Sequence, residues 1–373
     1  MDTYGLILAG GFKKEKNLFA SDGGEDMNKD FKDYVEGNLT DVDRSMVDGV
    51  TAIRERAFYQ CDKLKSIIIP YTVMNIAPEA FYYCTNLERV SIEGGTTDIG
   101  NYAFDMCQKL TEINIPPSVT SIGQGAFRNC TSLTSINIPS TVTSFGASTF
   151  LGCSSLLSVS LSGTMTSIPS SMFYQCSSLE TIQIPERVGA IGAEAFGYCS
   201  ALRSVNIPSG VTSLNSSTFT QCTSLTNISI PDGMVSVYNY VFSYCTSLTS
   251  VQFPDTITTL GDGIFNNCSS LTGVVLSKNI TSIPKRTFES CSSLTEIEIP
   301  SLVTEIGDTA FLGCTSLASI TLLPPNPPTL GTNVFANVPN TLKIYVPAAS
   351  VSAYQAANGW SVYASQIEAI PSN

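Results

Sequence analysis

Apolar residues recur between residues 50 and 347 on a beat of 23, kept without a break through twelve copies. Each copy reads F-x-x-C-x-x-L-x-x-I-x-I and usually closes on proline. One copy is Phe127, Cys130, Leu133, Ile136, Ile138 and Pro139, and another is Phe173, Cys176, Leu179, Ile182, Ile184 and Pro185. The alternation after the leucine predicts a short strand, with Ile136 and Ile138 turned inward and Ser135 and Asn137 outward. A second apolar pair follows each proline, as in Val142 and Phe145 or Val188 and Ile191. A unit this short cannot bury its own apolar side chains and must stack on its neighbours. The pattern therefore predicts a right-handed solenoid of about 13 coils of 23 residues. A parallel β-sheet would form one face, and short turns and helical or 3-10 segments the other. Proline gives up a ladder donor, so its recurrence marks where sheet pairing stops. At about 4.8 Å per strand, the stack would make a rod or shallow arc on the order of 60 Å long.

The thirteenth coil is irregular. Phe335 comes 24 residues after Phe311, and Val338 takes the place of the cysteine. The proline-rich stretch 323–331 absorbs the slip, and Ile344 and Val346 restore the strand. Three segments follow from this: a leader and cap over 1–49, the solenoid over 50–347 and a C-terminal cap over 348–373. Caps are expected because an open end would expose apolar side chains and unpaired strand groups. In the first segment Asp22, Glu25, Asp26, Asp30, Asp33 and Glu36 surround Phe31 and Tyr34. That segment reads either as a docking arm for homo-oligomers or as a cap with a mobile leader.

Composition narrows the function. Charged residues make up 13% of the chain and hydrophobic ones 43%, so the surface must consist largely of neutral hydroxyls and amides. The net charge of −12, with no basic patch, argues against nucleic acid as a partner. No apolar run is long enough to span a bilayer. The short apolar run Gly5 to Ala9 has no basic residues before it and reads poorly as a secretory signal.

Candidate chemistry is sparse. All 12 cysteines stand on the ladder, from Cys61 through Cys130, Cys153 and Cys176 to Cys314. They read as free, buried structural thiols packed with Phe127, Phe150 and Phe173, although the coil spacing would permit some bridging. A line of thiols does not converge on a tetrahedral metal site, and the chain has neither C-x-x-C nor histidine. Without histidine, the Ser-His-Asp and Cys-His arrangements are excluded. Glu296 and Glu298 share an outward strand face, with Glu112 and Glu180 elsewhere, and read as solvated carboxylates. Leu8, Ala9, Gly10 and Gly11 resemble the opening of sugar nucleotidyltransferases. The glycine and arginine that complete that motif are missing, so the match reads as coincidence. The expectation is a protein with no cofactor, no metal and no catalytic site.

Two surfaces remain as candidates for binding. The outward sheet positions Glu112, Asn114, Asn137, Gln183, Arg203, Asn206, Asn227 and Gln252 form a nearly uncharged polar band, which a merely solvated sheet would also show. Tyr174, Tyr198, Tyr238, Tyr240 and Tyr244 form an aromatic edge on the returning side. They read as an interface or as a shield for the coil edge.

The unit I-G-x-x-A-F-x-x-C-x-S-L-x-x-I-x-I-P, at 122–139 and 191–208, resembles the BspA-like, or Treponema-type, leucine-rich repeats. The resemblance covers residues 50 to about 347, and the ending from Ile344 to Trp360 is similar to that of such proteins from gut bacteria. It implies a leucine-rich-repeat solenoid without catalytic residues, a surface protein that attaches to host or cell-surface proteins or glycans. Similar repeats also resemble parts of bacteriophage tail or decoration proteins, so a virion component is the alternative. The expected location is the cell surface or exterior if an export signal has been removed, and otherwise the virion.

Overall fold

The computed structural model describes residues 40–44, 47 and 50–371, so the acidic segment proposed as a docking arm lies outside the described residues. The chain forms about fourteen turns of a parallel-strand solenoid, one more than the cysteine ladder and its irregular last copy suggest. The additional strand at the start is Asp41–Val42, which pairs in parallel with Ser66–Ile69 inside the segment read as a leader. The coils fall into two compact units. One runs to Met165 and includes Ser171–Leu179, and the other joins Thr166–Ser170 to the coils from Glu180 onward.

In the first unit, one ladder runs from Asp41–Val42 through Ser66–Ile69 and Arg89–Ile92 to Glu112–Ile113, followed by the pair Ser135–Asn137 and Ser158–Ser160. A second ladder of two-residue strands runs from Ala52–Ile53 to Ser144–Phe145. This second ladder is the apolar pair after each proline. In the second unit, the first ladder ends in a four-stranded sheet from Glu296–Ile299 to Ile367–Ala369. Registers confirm the slip: Glu296 faces Ser319 at 23 residues, whereas Glu305 faces Thr329 at 24. The extra residue therefore lies between Leu322 and Thr329.

The returning side is made of consecutive turns. Two residues in each coil adopt left-handed backbone, for example Arg56 and Gln60 (both φ 58°) or Tyr240 and Tyr244 (φ 56° and 58°). Phe58 lies between the first such pair, and its N–H donates to Ala80 O of the following coil at 2.7 Å, with Gln60 N–H donating to Tyr82 O at 2.8 Å. In the strands the direction reverses, as when Glu88 N–H donates to Lys65 O of the preceding coil at 2.7 Å. Every coil is thus bonded to both neighbours without any helix on this side. Left-handed backbone costs an ordinary residue about 1–2 kcal/mol, and the stack recovers it by satisfying the buried amides.

Between these two sides the core is a set of columns. The phenylalanine rings stack face to face, with centroids 5.7 Å apart for Phe127–Phe150 and 5.6 Å for Phe150–Phe173. The leucines, the cysteines and the inward isoleucines form parallel columns that are almost wholly buried. A glycine follows the second strand in many coils, because a Cβ at Gly123 would lie 2.6 Å from the backbone nitrogen of Asn101. At the C-terminal end Val351–Ala356 is α-helical, flanked by 3-10 turns at Ala348–Ser350 and Ser361–Gln366. Trp360 and Tyr354 pack there and donate to Pro328 O (2.7 Å) and Pro324 O (2.9 Å), satisfying carbonyls of the proline-rich slip.

Candidate binding surfaces

The outward strand positions are placed as the alternation requires. Glu112, Asn114, Asn137, Gln183, Arg203, Asn227 and Gln252 are exposed, and Asn206 is half-buried. They divide chemically. Asn114 accepts from Ile92 N–H at 2.8 Å and donates to Ile92 O at 2.7 Å, and Asn206 does the same to Ile184 at 3.0 and 2.9 Å. In both coils a side-chain amide takes the place of a strand backbone where the ladder is short, so these two residues hold coils together. Asn227 donates weakly to Thr226 Oγ1 (3.3 Å). Gln183 and Gln252 carry the band outward.

A trough of about 560 Å³ opens on this face in the second unit, lined by Ser250, Gln252, Gly273, Val275, Glu296 and Glu298. Gly273 makes the gap, since no atom lies within 4 Å of where its Cβ would stand. Val275 beside it is 58% exposed. Glu296 and Glu298 sit on alternate positions of one strand and both face outward.

On the returning side, Tyr198, Tyr238 and Tyr244 are exposed, while Tyr174 and Tyr240 are half-buried. Tyr240 has a packing role: a Cβ on Gly263, one coil on, would lie 2.6 Å from its ring. Tyr102 lies over Gly125 in the same way. Glycine at these left-handed positions makes room for the ring of the preceding coil.

The cysteine column has its own chemistry. All 12 cysteines are free and buried, and Cys130, Cys153 and Cys176 donate their thiol protons to the carbonyls of Phe104, Phe127 and Phe150 at 3.2, 3.1 and 3.2 Å. Burial pushes the Cys153 and Cys245 thiols up to about 12, so neither is a nucleophile at neutral pH. Beside this column Asp105 is fully buried against Arg128, whose Nε and Nη2 approach one carboxylate oxygen at 2.9 and 2.6 Å. Arg128 also lies over the Tyr102 ring, 5.0 Å from its centroid. Burial raises the Asp105 carboxyl above its usual value despite the guanidinium beside it. No group of three or more metal-ligating side chains is assembled among the described residues.

The sequence profile of the BspA type leucine rich repeat region matches six copies, over residues 34–157, 97–226 and 212–343. The chain belongs to the BspA-type leucine-rich repeat family. Among solved structures, this BspA-type chain is similar to a leucine-rich repeat protein from Bacteroides ovatus. They are 30% identical over 86% of this chain and 88% of the other, with a TM-score of 0.70. It is also similar to a leucine-rich cell surface protein from Faecalibacterium prausnitzii, 28% identical over 90% of this chain and 92% of that one, with a TM-score of 0.57. No curated protein matches the sequence. The chain is thus a repeat scaffold of the bacterial surface-protein type, and no helix among the described residues is long and apolar enough to cross a membrane.

Several residues that shape the BspA-type surface are silent in the repeat pattern. The ladder roles of Asn114 and Asn206 resemble ordinary polar alternation. The Asp105–Arg128 pair occupies a position that elsewhere holds Tyr82, Leu151 or Thr220, and only the 23-residue spacing between the two hints that they meet. The left-handed positions leave a fainter signal in the recurrence of Asn129, Gly152, Asn267 and Gly313 just before cysteine.

Proposed function

We propose that this chain is a non-enzymatic recognition module that binds a protein or glycan of a host or cell surface through the outward face of its first strand ladder. The observation that carries this reading is the trough over Gln252, Gly273, Val275, Glu296 and Glu298. It is an open depression with an apolar patch, neutral amides and two carboxylates, set on strands whose positions are fixed from both sides. Rigid strands hold such groups with little ordering cost on binding, which favours recognition by a preformed surface. The similarity to a leucine-rich cell surface protein supports the same role. A solid-phase screen of the full chain against matrix glycoproteins and intact cells tests the proposal. Saturable binding that an excess of unlabelled chain displaces supports it, and a uniformly negative screen counts against it.

A further inference from the structure

We propose that the returning edge of the second unit, from Tyr198 to Tyr244, binds an extended, neutral β-1,4-linked glycan. The proposal rests on a sunken polar floor between two aromatic posts. The floor is the position directly after each phenylalanine, occupied in this stretch by Thr220, Ser243 and Asn266. In the first unit the same position carries Tyr82, Arg128 and Leu151, which fill it. Ser243 is 4% and Asn266 9% exposed, and Ser243 Oγ donates to Asn266 Oδ1 at 3.3 Å, as does Asn267 Nδ2 at 2.8 Å. The Asn266 oxygen is therefore fully engaged, while its amide nitrogen donates to no partner among the described residues. A side chain so deeply set with an unused donor at the surface calls for an acceptor from outside.

The posts supply the spacing. Tyr198 and Tyr244 are 40% and 42% exposed and occupy the same position, just before cysteine, in coils two apart, with Gln221 between them. Equivalent rings in these coils advance by 5.5 Å from Phe196 to Phe219 and 5.9 Å from Phe219 to Phe242. At the spacing of parallel strands, positions two coils apart are separated by about 10 Å. In an extended β-1,4-linked chain each sugar is turned over relative to the last, so the same apolar pyranose face returns every second sugar, at a repeat that matches two coils. Tyr198 and Tyr244 then stack on two like faces, and the amides of Gln221 and Asn266 meet hydroxyls of the sugar between. An α-1,4-linked chain coils and cannot present two like faces in line. The net charge of −12 disfavours sulfated or acidic glycans, which leaves a neutral one. This site lies on the returning side and does not rest on the sheet-face reading above.

Calorimetric titration of the full chain with cellohexaose, chitohexaose and maltohexaose tests the site. Binding of at least one β-1,4-linked hexamer at millimolar affinity or better, with none of maltohexaose, is expected. The double variant Y198N/Y244N should lose about tenfold or more in affinity, the size of effect expected for anchoring aromatics. Asparagine is at ease in left-handed backbone, so the thermal unfolding of this variant should stay at or above that of the parent chain. Asn266→Leu should weaken binding severalfold, and Tyr83→Asn, at the same position in the first unit, should leave it unchanged. The absence of binding by both β-1,4-linked hexamers, equal binding of maltohexaose, or parental affinity in Y198N/Y244N would each overturn the proposal.

Discussion

The thiol of Cys130 donates to the carbonyl oxygen of Phe104, one coil back, at 3.2 Å, and the same oxygen accepts the backbone N–H of Cys107 at 3.2 Å. Cysteine at this position is therefore a small apolar residue with one weak donor, which completes the two bonds of a buried carbonyl. The contact repeats in both units, from Cys84 on Phe58 to Cys314 on Phe288. Cys130→Ala should lower stability by about 1–2 kcal/mol in denaturant titration, through a lost bond and a small cavity. Cys130→Val, which adds bulk without a donor, should cost at least as much.

The same column sets an alkaline limit. Burial raises Cys153, Cys245 and Cys314 from 9.0 to about 12. A group whose folded pKa is raised contributes stability that is fully present below its unfolded value and is lost as pH rises towards the folded one. Unfolding free energy should hold steady below pH 9 and fall between about pH 9 and 12, and replacing Cys153 by alanine should flatten that fall. In native protein at pH 8, a bulky maleimide should label almost none of the thiols until denaturant is added.

Two glycines should respond in opposite directions. Gly123→Ala puts a Cβ 2.6 Å from Asn101 N and must push two coils apart, at a cost of about 1–3 kcal/mol. Gly273→Thr meets nothing within 4 Å and suits a strand, so it should raise the melting temperature, with a gain of about 0.5–1 kcal/mol. Differential scanning calorimetry of the two variants separates a glycine needed for close approach from one that leaves a gap.

Asp105 and Arg128 form a pair with one partner wholly buried. Arg128→Met keeps the stem but strands a carboxylate in the core, and should cost about 2–4 kcal/mol, somewhat less than a fully buried pair because Arg128 is one-third exposed. Adding Asp105→Asn to it should recover part of the loss, which a double-mutant cycle measures directly.

Much of this molecule is written in its 23-residue beat. The phenylalanine, cysteine, leucine and isoleucine columns follow from spacing alone, because one repeated apolar pattern admits one way of stacking. The slip at Phe335 is legible for the same reason, since a single extra residue shifts every later apolar position. What spacing cannot convey is how side chains at equivalent positions meet their neighbours one coil away. Asn114 and Gln252 are both outward polar residues in the sequence, yet one is bound to Ile92 and the other lines the trough. Tyr240 and Tyr244 differ likewise, because only the first lies over a glycine. The strand at Asp41–Val42 is hidden because it precedes the first cysteine and pairs at 25 residues.

The central claim, recognition through the outward sheet face, is tested most directly by biolayer interferometry. The surface partner found by the binding screen is immobilised, and the full chain is compared with the triple variant Gln183→Lys, Asn227→Lys and Gln252→Lys. These exposed positions lie outside the core, so each should change stability by less than about 0.5 kcal/mol. A drop in affinity of about tenfold or more with an unchanged melting temperature is the expected result. Parental affinity in the folded triple variant would contradict the account.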